Sequence, residues 1–294
     1  MKTFLECIPC FVRQSLEVCH LVTQDRALQE KILRGVLGLL SEIRFDESPP
    51  HMATRIHRFI REMTGETDPY KRLKDMFNQV ATNLYPQMKE KVKVSPNPFE
   101  TAVRMAIAGN TIDCALVTEL DLAQIHSSIA TALSSSIDSD SMSRLASAVR
   151  SAERILYIGD NAGEIVFDRI LVEEMPCDKV TFAVRGHPIL NDATMEDAVA
   201  TEVTDLVRVI DSGCDVPGTI LEECSQSFRD CFNESDLIIA KGQGNYETLS
   251  GNGKSIFFLF KAKCPVVAHE IGCELDAPVV YRTNPQKKGG ENHA

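Results

Sequence analysis

Apolar residues recur at helical spacing through the first half of the chain. Phe11, Leu16 and Val18 begin the pattern, Ile32, Leu33, Val36, Leu37 and Leu40 continue it, and Leu73, Met76, Phe77 and Val80 repeat it. Breakers part these runs at Ser48-Pro49-Pro50, Thr64-Gly65 and Ser95-Pro96-Asn97-Pro98. The spacing predicts a bundle of helices over residues 4–133, the last of them over 119–132. A serine-rich loop and a new helix cap follow over 134–143.

After Arg150 the period changes. Short apolar runs stand at ILYI (155–158), VTFAV (180–184), LVRVI (206–210) and DLIIA (236–240), followed by the pair IFFLF (256–260) and PVVAH (265–269). Helix-length polar or amphipathic stretches separate most of them. Alternation of this kind predicts an α/β fold, a doubly wound parallel sheet covered on both faces. Two domains are expected, a helical one over 1–150 and an α/β one over 151–294. Ligands of such sheets sit beyond the carboxyl ends of the strands.

Those strand exits are polar. The first reads Gly159-Asp160-Asn161-Ala162-Gly163-Glu164, and the second runs from Arg185 to Asn191-Asp192. The fourth reads Lys241-Gly242-Gln243-Gly244-Asn245. Adjacent parallel strands lie ~4.8 Å apart, so side chains just past neighbouring ends can meet on one ion. Asp160, Asn161 and Asp192 offer hard oxygen donors without sulfur, a set suited to Mg²⁺ or Mn²⁺, with Co²⁺ and Ni²⁺ also able to enter. An Asx turn capping the next helix is the plainer reading of Asp160-Asn161 alone. The same chemistry at the next exit favours the cation. At the fourth exit, Gly242 and Gly244 would let backbone N–H groups approach an anion, and Lys241 would add a charge suited to phosphate. The alternative there is a glycine turn with a solvent-facing lysine.

Charge narrows the partners. With 42 acidic against 31 basic residues the formal net charge is -11, which disfavours a nucleic-acid groove. No run approaches the ~18 apolar residues of a membrane span, and Glu6, Arg13 and Glu17 interrupt any leader-like stretch. A reduced, cytoplasmic protein is expected, whose ten cysteines are thiols or metal ligands. Cys7-Ile8-Pro9-Cys10 has knuckle spacing and would supply half of a second, thiolate metal site; buried thiols are the competing reading. In the helical half, Asn110 and Asp113 interrupt an apolar segment. They share a helix face if the helix continues, and would then reach the substrate or cation across the interdomain cleft. A helix break capped by Asn110 is the alternative.

Taken in order, CIPC, AGNTID, GDNAGE, LNDAT and KGQGNYE resemble the damage-control phosphatase family, also known as domain of unknown function 89 or ARMT1-like, over Cys7 to about Tyr281. The CxxC and the chain length are similar to its prokaryotic branch. The resemblance implies a Rossmann-like three-layer α/β/α domain after a helical one. It also implies metal-dependent hydrolysis of phosphate esters of small metabolites, such as sugar phosphates or phosphopantetheine-like compounds. The family's metal ligands fall on Asp160, Asn161 and Asp192, and its phosphate-contacting lysine falls on Lys241. On that basis Asp160, Asp192, Glu164 and Lys241 are the expected catalytic set, with Glu164 or Asp113 orienting water. Arg185, Asn191, Asn245, Gly242, Gly244 and Asn110 are expected around the substrate. Ala162 stands where haloacid-dehalogenase-like phosphatases carry a second acid, which disfavours an aspartyl-phosphate. A non-catalytic sensor of phosphometabolites is the rival function, ahead of a carboxyl methyltransferase.

Overall fold

In the computed structural model, which describes residues 1–110, 127, 129–131 and 133–283, the helical periodicity becomes five helices before residue 110. They are α1 (Cys7–Val22), α2 (Arg26–Ser41), α3 (Pro49–Thr64), α4 (Lys71–Lys93) and α5 (Pro98–Gly109), and α6 (Ser139–Ser151) follows. The expected breakers act at their ends. Prolines open α3 and α5, where a missing N–H costs no helical bond, and Gly65 closes α3 at φ +73°. The helix expected over 119–132 and the site candidate Asp113 lie mostly or wholly outside the described residues.

Six strands form one sheet in the order β3-β2-β1-β4-β5-β6: β1 (Ile155–Ile158), β2 (Val180–Val184), β3 (Arg208–Asp211), β4 (Leu237–Lys241), β5 (Ile256–Lys261) and β6 (Pro278–Arg282). The first five are parallel, and β6 runs antiparallel beside β5. The intervening helices are α7 (Glu164–Val172), α8 (Met195–Ala200), α9 (Gln226–Glu234), α10 (Gln243–Leu249) and α11 (Pro265–Ile271). The expected mainly parallel α/β architecture is therefore present. The chain order reverses between β1 and β4, which places the open end of the sheet, and the loops after β1, β2 and β4, at a switch point.

One expected strand is a helix. PVVAH forms α11, with Pro265 in its first turn and Gly272 ending it in the left-handed region at φ +79°. The same tripeptide at 278–280, Pro-Val-Val, forms the edge strand β6, which the sequence reading missed. A short apolar run has no period of its own. The Pro-led segment becomes helix where it must cover the sheet, and strand where β5 offers an unpaired edge.

The hydrophobic cores divide elsewhere than at residue 150. Residues of α1, α2 and α3, among them Phe11, Val18, Ile32, Ile56 and Ile60, pack into a core of their own. Helices α4, α5 and α6 instead share a core with α7 and one sheet face, through Phe77, Leu84, Ile107, Leu145, Phe167, Tyr157 and Ile239. They are one layer of the three-layer sandwich, because their apolar stripes cover the face carrying Ile155, Tyr157, Leu237 and Ile239. The opposite face, with Leu156, Ile158, Ile238 and Phe258, is covered by residues of α9, α10 and α11. The α1–α3 unit sits over the open end of the sheet.

Candidate active site

Between that three-helix unit and the strand exits lies a cleft of about 790 Å³. Phe11, Pro49, Pro50, Tyr70, Leu73 and Phe77 line its helical side, and Asp160, Asn161, Asn191 and Asp192 line the opposite wall. The two acidic loops are zipped together. Ala162 N–H donates to Asn191 O at 2.9 Å, Ala193 N–H to Asp160 O at 2.7 Å, and Asn161 pairs with Asp192 in an isolated antiparallel bridge. The convergence expected from neighbouring strand ends is built by backbone hydrogen bonds.

Beneath the two carboxylates lies Arg185, just past β2 and 1% exposed. Its Nε donates to Asp192 Oδ2 at 2.6 Å, and Nη2 approaches Asp160 Oδ1 at 3.5 Å. Burial works against its charge, but Asp192 and Asp160 hold the guanidinium above its ordinary pKa. The cation offsets the repulsion between two acids on one wall. Arg185 therefore supports the two carboxylates from behind, whereas the sequence reading placed it on the substrate.

Asn161 is oriented from below as well. Its NH₂ donates to Asp160 Oδ2 at 3.1 Å and to Glu164 Oε2 at 3.2 Å, which leaves the carbonyl end for the cleft that Asn161 lines. Two carboxylates and an amide oxygen, with no sulfur, are a donor set that fits a hard divalent cation. Gly242 adds a steric requirement. At φ +76° it lies so close to Asp160 that a Cβ there would stand 1.9 Å from Oδ2.

Lys241 does not face the cleft. Side chains alternate along β4, so Lys241 shares a face with Leu237 and Ile239 and runs under α5 and α7. There it is 0% exposed, and its three N–H bonds go to Glu164 Oε1 at 2.5 Å, Asp168 Oδ1 at 2.5 Å and Ala106 O at 2.9 Å. Burial opposes its charge, yet Asp168 and Glu164 hold the ammonium up at about 12. The expected phosphate contact has no donor left to make it. Glu164 differs from expectation for the same reason. It is fully buried, and while Oε1 takes Lys241, Oε2 accepts from Asn110 at 2.8 Å and from Asn161. Lys241 and Glu164 thus hold Asn161 in place.

The anion nest is also reassigned. Gly242 N–H donates to Leu259 O at 3.2 Å, continuing the sheet, so it cannot cradle a phosphate. Asn245 is buried with its NH₂ on Lys241 O at 2.7 Å and its Oδ1 accepting from Thr219 at 2.8 Å. Gly244, Asn191 and Asn110 do line the cleft, as expected. Cys10 lines it too, while Cys7 is buried in the three-helix core. Among the described residues no three His, Cys, Asp or Glu side chains gather as a metal group. The strand-exit trio contains two such residues, its third donor being an amide.

Four supporting residues escaped the sequence reading. Asp168 shares Lys241 with Glu164 one turn before it on α7, and it accepts from Tyr157 Oη at 2.8 Å. Its signal was an acid at i+4 from Glu164 within the apolar run EIVFDRILV. On α4, Lys74 and Asn78 stand among the positions that face the core with Phe77 and Ala81, where polar residues are unusual. Both reach Asp197, which caps α8.

Comparison with known proteins places the chain in a family. Residues 3–279 match the damage-control phosphatase ARMT1-like domain. A damage-control phosphatase of Archaeoglobus fulgidus is 37% identical, over 92% of this chain and 96% of its own. One from Pyrococcus horikoshii is 35% identical over 96% and 98%, and an uncharacterised protein of Methanocaldococcus jannaschii 36% over 94% of each. A crystal structure of a DUF89 family protein from P. horikoshii superposes with a TM-score of 0.88 at 34% identity, covering 97% of this chain and all of that one. The chain belongs to the damage-control phosphatase ARMT1-like family.

Proposed function

We propose that the protein is a divalent-cation-dependent phosphatase that hydrolyses phosphate monoesters of small metabolites; the names of its relatives, damage-control phosphatases, support the phosphatase part of this reading. The observation carrying this reading is the meeting of Asp160, Asn161 and Asp192 on one wall of the cleft, each held from behind by a buried partner. Those three would hold the cation. When bound, it would supply a Lewis acid for a phosphoryl oxygen and a water of lowered pKa.

The chain's own residues do the remaining work. Arg185 keeps the two carboxylates together and tempers their charge, so that a phosphate dianion can approach an otherwise acidic wall. The Lys241–Glu164 pair fixes the Asn161 amide before substrate arrives, which avoids a reorganisation cost during reaction. Asn191 and Asn110 line the cleft beside the trio and would donate to phosphate or hydroxyl oxygens, Asn110 through the N–H that its bond to Glu164 leaves over. Phe11, Tyr70, Leu73 and Phe77 give the far side a largely apolar surface.

Release of phosphate from p-nitrophenyl phosphate and from a panel of phosphorylated metabolites, with and without added Mn²⁺ or Mg²⁺, tests the reading. Turnover should require the ion and fall on the order of a thousandfold in Asp160→Asn and in Asp192→Asn. Wild-type turnover in both variants would remove the site assignment. Tight binding of phosphometabolites without turnover would favour a sensor instead.

A further inference from the structure

Helix α4 touches both loops that carry the oxygen donors, and one buried amide on it bonds toward both. Asn78, 6% exposed, accepts from the Gly163 N–H at 2.7 Å and donates from Nδ2 to Asp197 Oδ1 at 2.8 Å. Gly163 closes the loop of Asp160 and Asn161. Asp197 anchors the loop of Asp192, since its Oδ2 accepts both the N–H and the hydroxyl of Thr194 at 2.8 Å each. Lys74, one turn earlier on α4, holds the same Asp197 Oδ2 at 3.1 Å and is itself buried. Phe77 packs so close to Gly163, which sits at φ +78°, that a Cβ on that glycine would fall 2.9 Å from the Phe77 Cβ.

We infer that Asn78 is a positioning residue for the proposed cation site, steadying the zipped pair of loops that carry Asp160–Asn161 and Asp192 by fixing both to α4. An amide is the group that fits. One end must accept from a backbone N–H and the other must donate to a carboxylate, at opposite ends of a single planar side chain. A carboxylate at this position would face Asp197 with like charge, and a shorter side chain would release both loops. Among the described residues no other α4 side chain is seen to hydrogen-bond toward both loops, so the backbone bonds that zip the loops survive loss of Asn78 while the anchoring of the pair to α4 weakens. The inference rests on the cation reading above, and its test reads metal binding directly.

Mn²⁺ binding to the apo protein, followed by the electron paramagnetic resonance signal of free ion, is compared for wild type, Asn78→Ala, Asn78→Asp and Leu84→Ala. Leu84 is a buried α4 residue of the same core with no contact to either loop among the hydrogen bonds above, and serves as a control for lost stability. Both Asn78 variants should bind Mn²⁺ about tenfold to a hundredfold more weakly, the range seen when a group behind a metal ligand is lost. Leu84→Ala should keep the wild-type dissociation constant. Wild-type affinity in Asn78→Ala, or equal weakening in Leu84→Ala, overturns the inference while leaving the cation site intact. Absence of Mn²⁺ binding in wild type, or binding that survives Asp160→Asn, overturns the cation reading and the inference with it.

Discussion

Asp168 shows how far a single residue's chemistry departs from its place in the sequence. It lies 0% exposed between Lys241 and Tyr157, with Oδ2 left without a hydrogen-bond partner among the described residues. Burial, reinforced by the neighbouring Glu164 carboxylate, pushes its carboxyl up to about 7 against the pull of Lys241. One ammonium thus faces two acids, and Asp168 keeps a proton that the unfolded chain releases near 3.8. Its folded value lies above its unfolded one, so its contribution to stability is complete below that lower value and is lost as pH rises through about 7. Between roughly pH 6 and 8 the loss is about 1 kcal/mol. Urea unfolding of Asp168→Asn should show a correspondingly flatter stability profile over that window than wild type; parallel profiles would mean that Asp168 is already ionised below it. Asp160, Asn161 and Asp192 were legible as oxygen donors because hard polar residues recur in the loops that follow two adjacent strands. The role of Lys241 was not, although the alternation of Leu237, Ile239 and Lys241 stood in plain view. Which partners Lys241 meets on its face of β4 is settled by α5 and α7, whose contacting residues lie 73 to 135 positions away in the chain.

Among the elements, α3 does for the cleft what α4 does for the loops. Arg58 binds Asp215 through Nε at 3.1 Å and Glu223 through Nη2 at 2.5 Å, and Arg61 pairs with the same Asp215 and donates to Pro188 O at 2.6 Å. These contacts tie the three-helix unit to the loops after β2 and β3. Although burial opposes ionisation of Asp215, the two guanidiniums hold its carboxyl below the ordinary range. Asp215→Asn should loosen the far wall of the cleft, raising KM for a phosphate ester about threefold to tenfold at low ionic strength and leaving the Mn²⁺ dissociation constant unchanged. The difference from wild type should shrink in high salt, and a KM insensitive to the substitution would deny α3 a part in forming the cleft. Element type itself was largely legible. Prolines and Gly65 bounded the helices, and unbroken apolar runs marked the buried strands. The two Pro-Val-Val segments were not, because three apolar residues have no period and only the free edge of β5 made one of them a strand.

At the scale of the molecule, the three-helix core and the core that α4 shares with the sheet meet at one cleft, Phe11 lining it from the first and Leu73 and Phe77 from the second. A defect in the three-helix core should therefore act on substrate rather than on the cation. Ile56→Ala, in that core, is expected to cost about 2–4 kcal/mol of stability in its own unit and to raise KM, with Mn²⁺ affinity unaltered. Weakened Mn²⁺ binding in this variant would mean that the cores are coupled more tightly than their packing indicates. The sequence alone determined the parallel α/β architecture, the polar strand exits with their hard oxygen donors, and, through the order of five short motifs, membership of the family. These are consequences of local periodicity and of chemistry that stands a few residues apart. Only the tertiary structure decided that Lys241 and Glu164 face inward, that Asn78 spans two loops, and that α4 to α6 belong to the sheet's core. Each of those depends on contacts between residues far apart in the chain, whose distances follow from how apolar faces cover one another and leave no trace in the spacing of either partner.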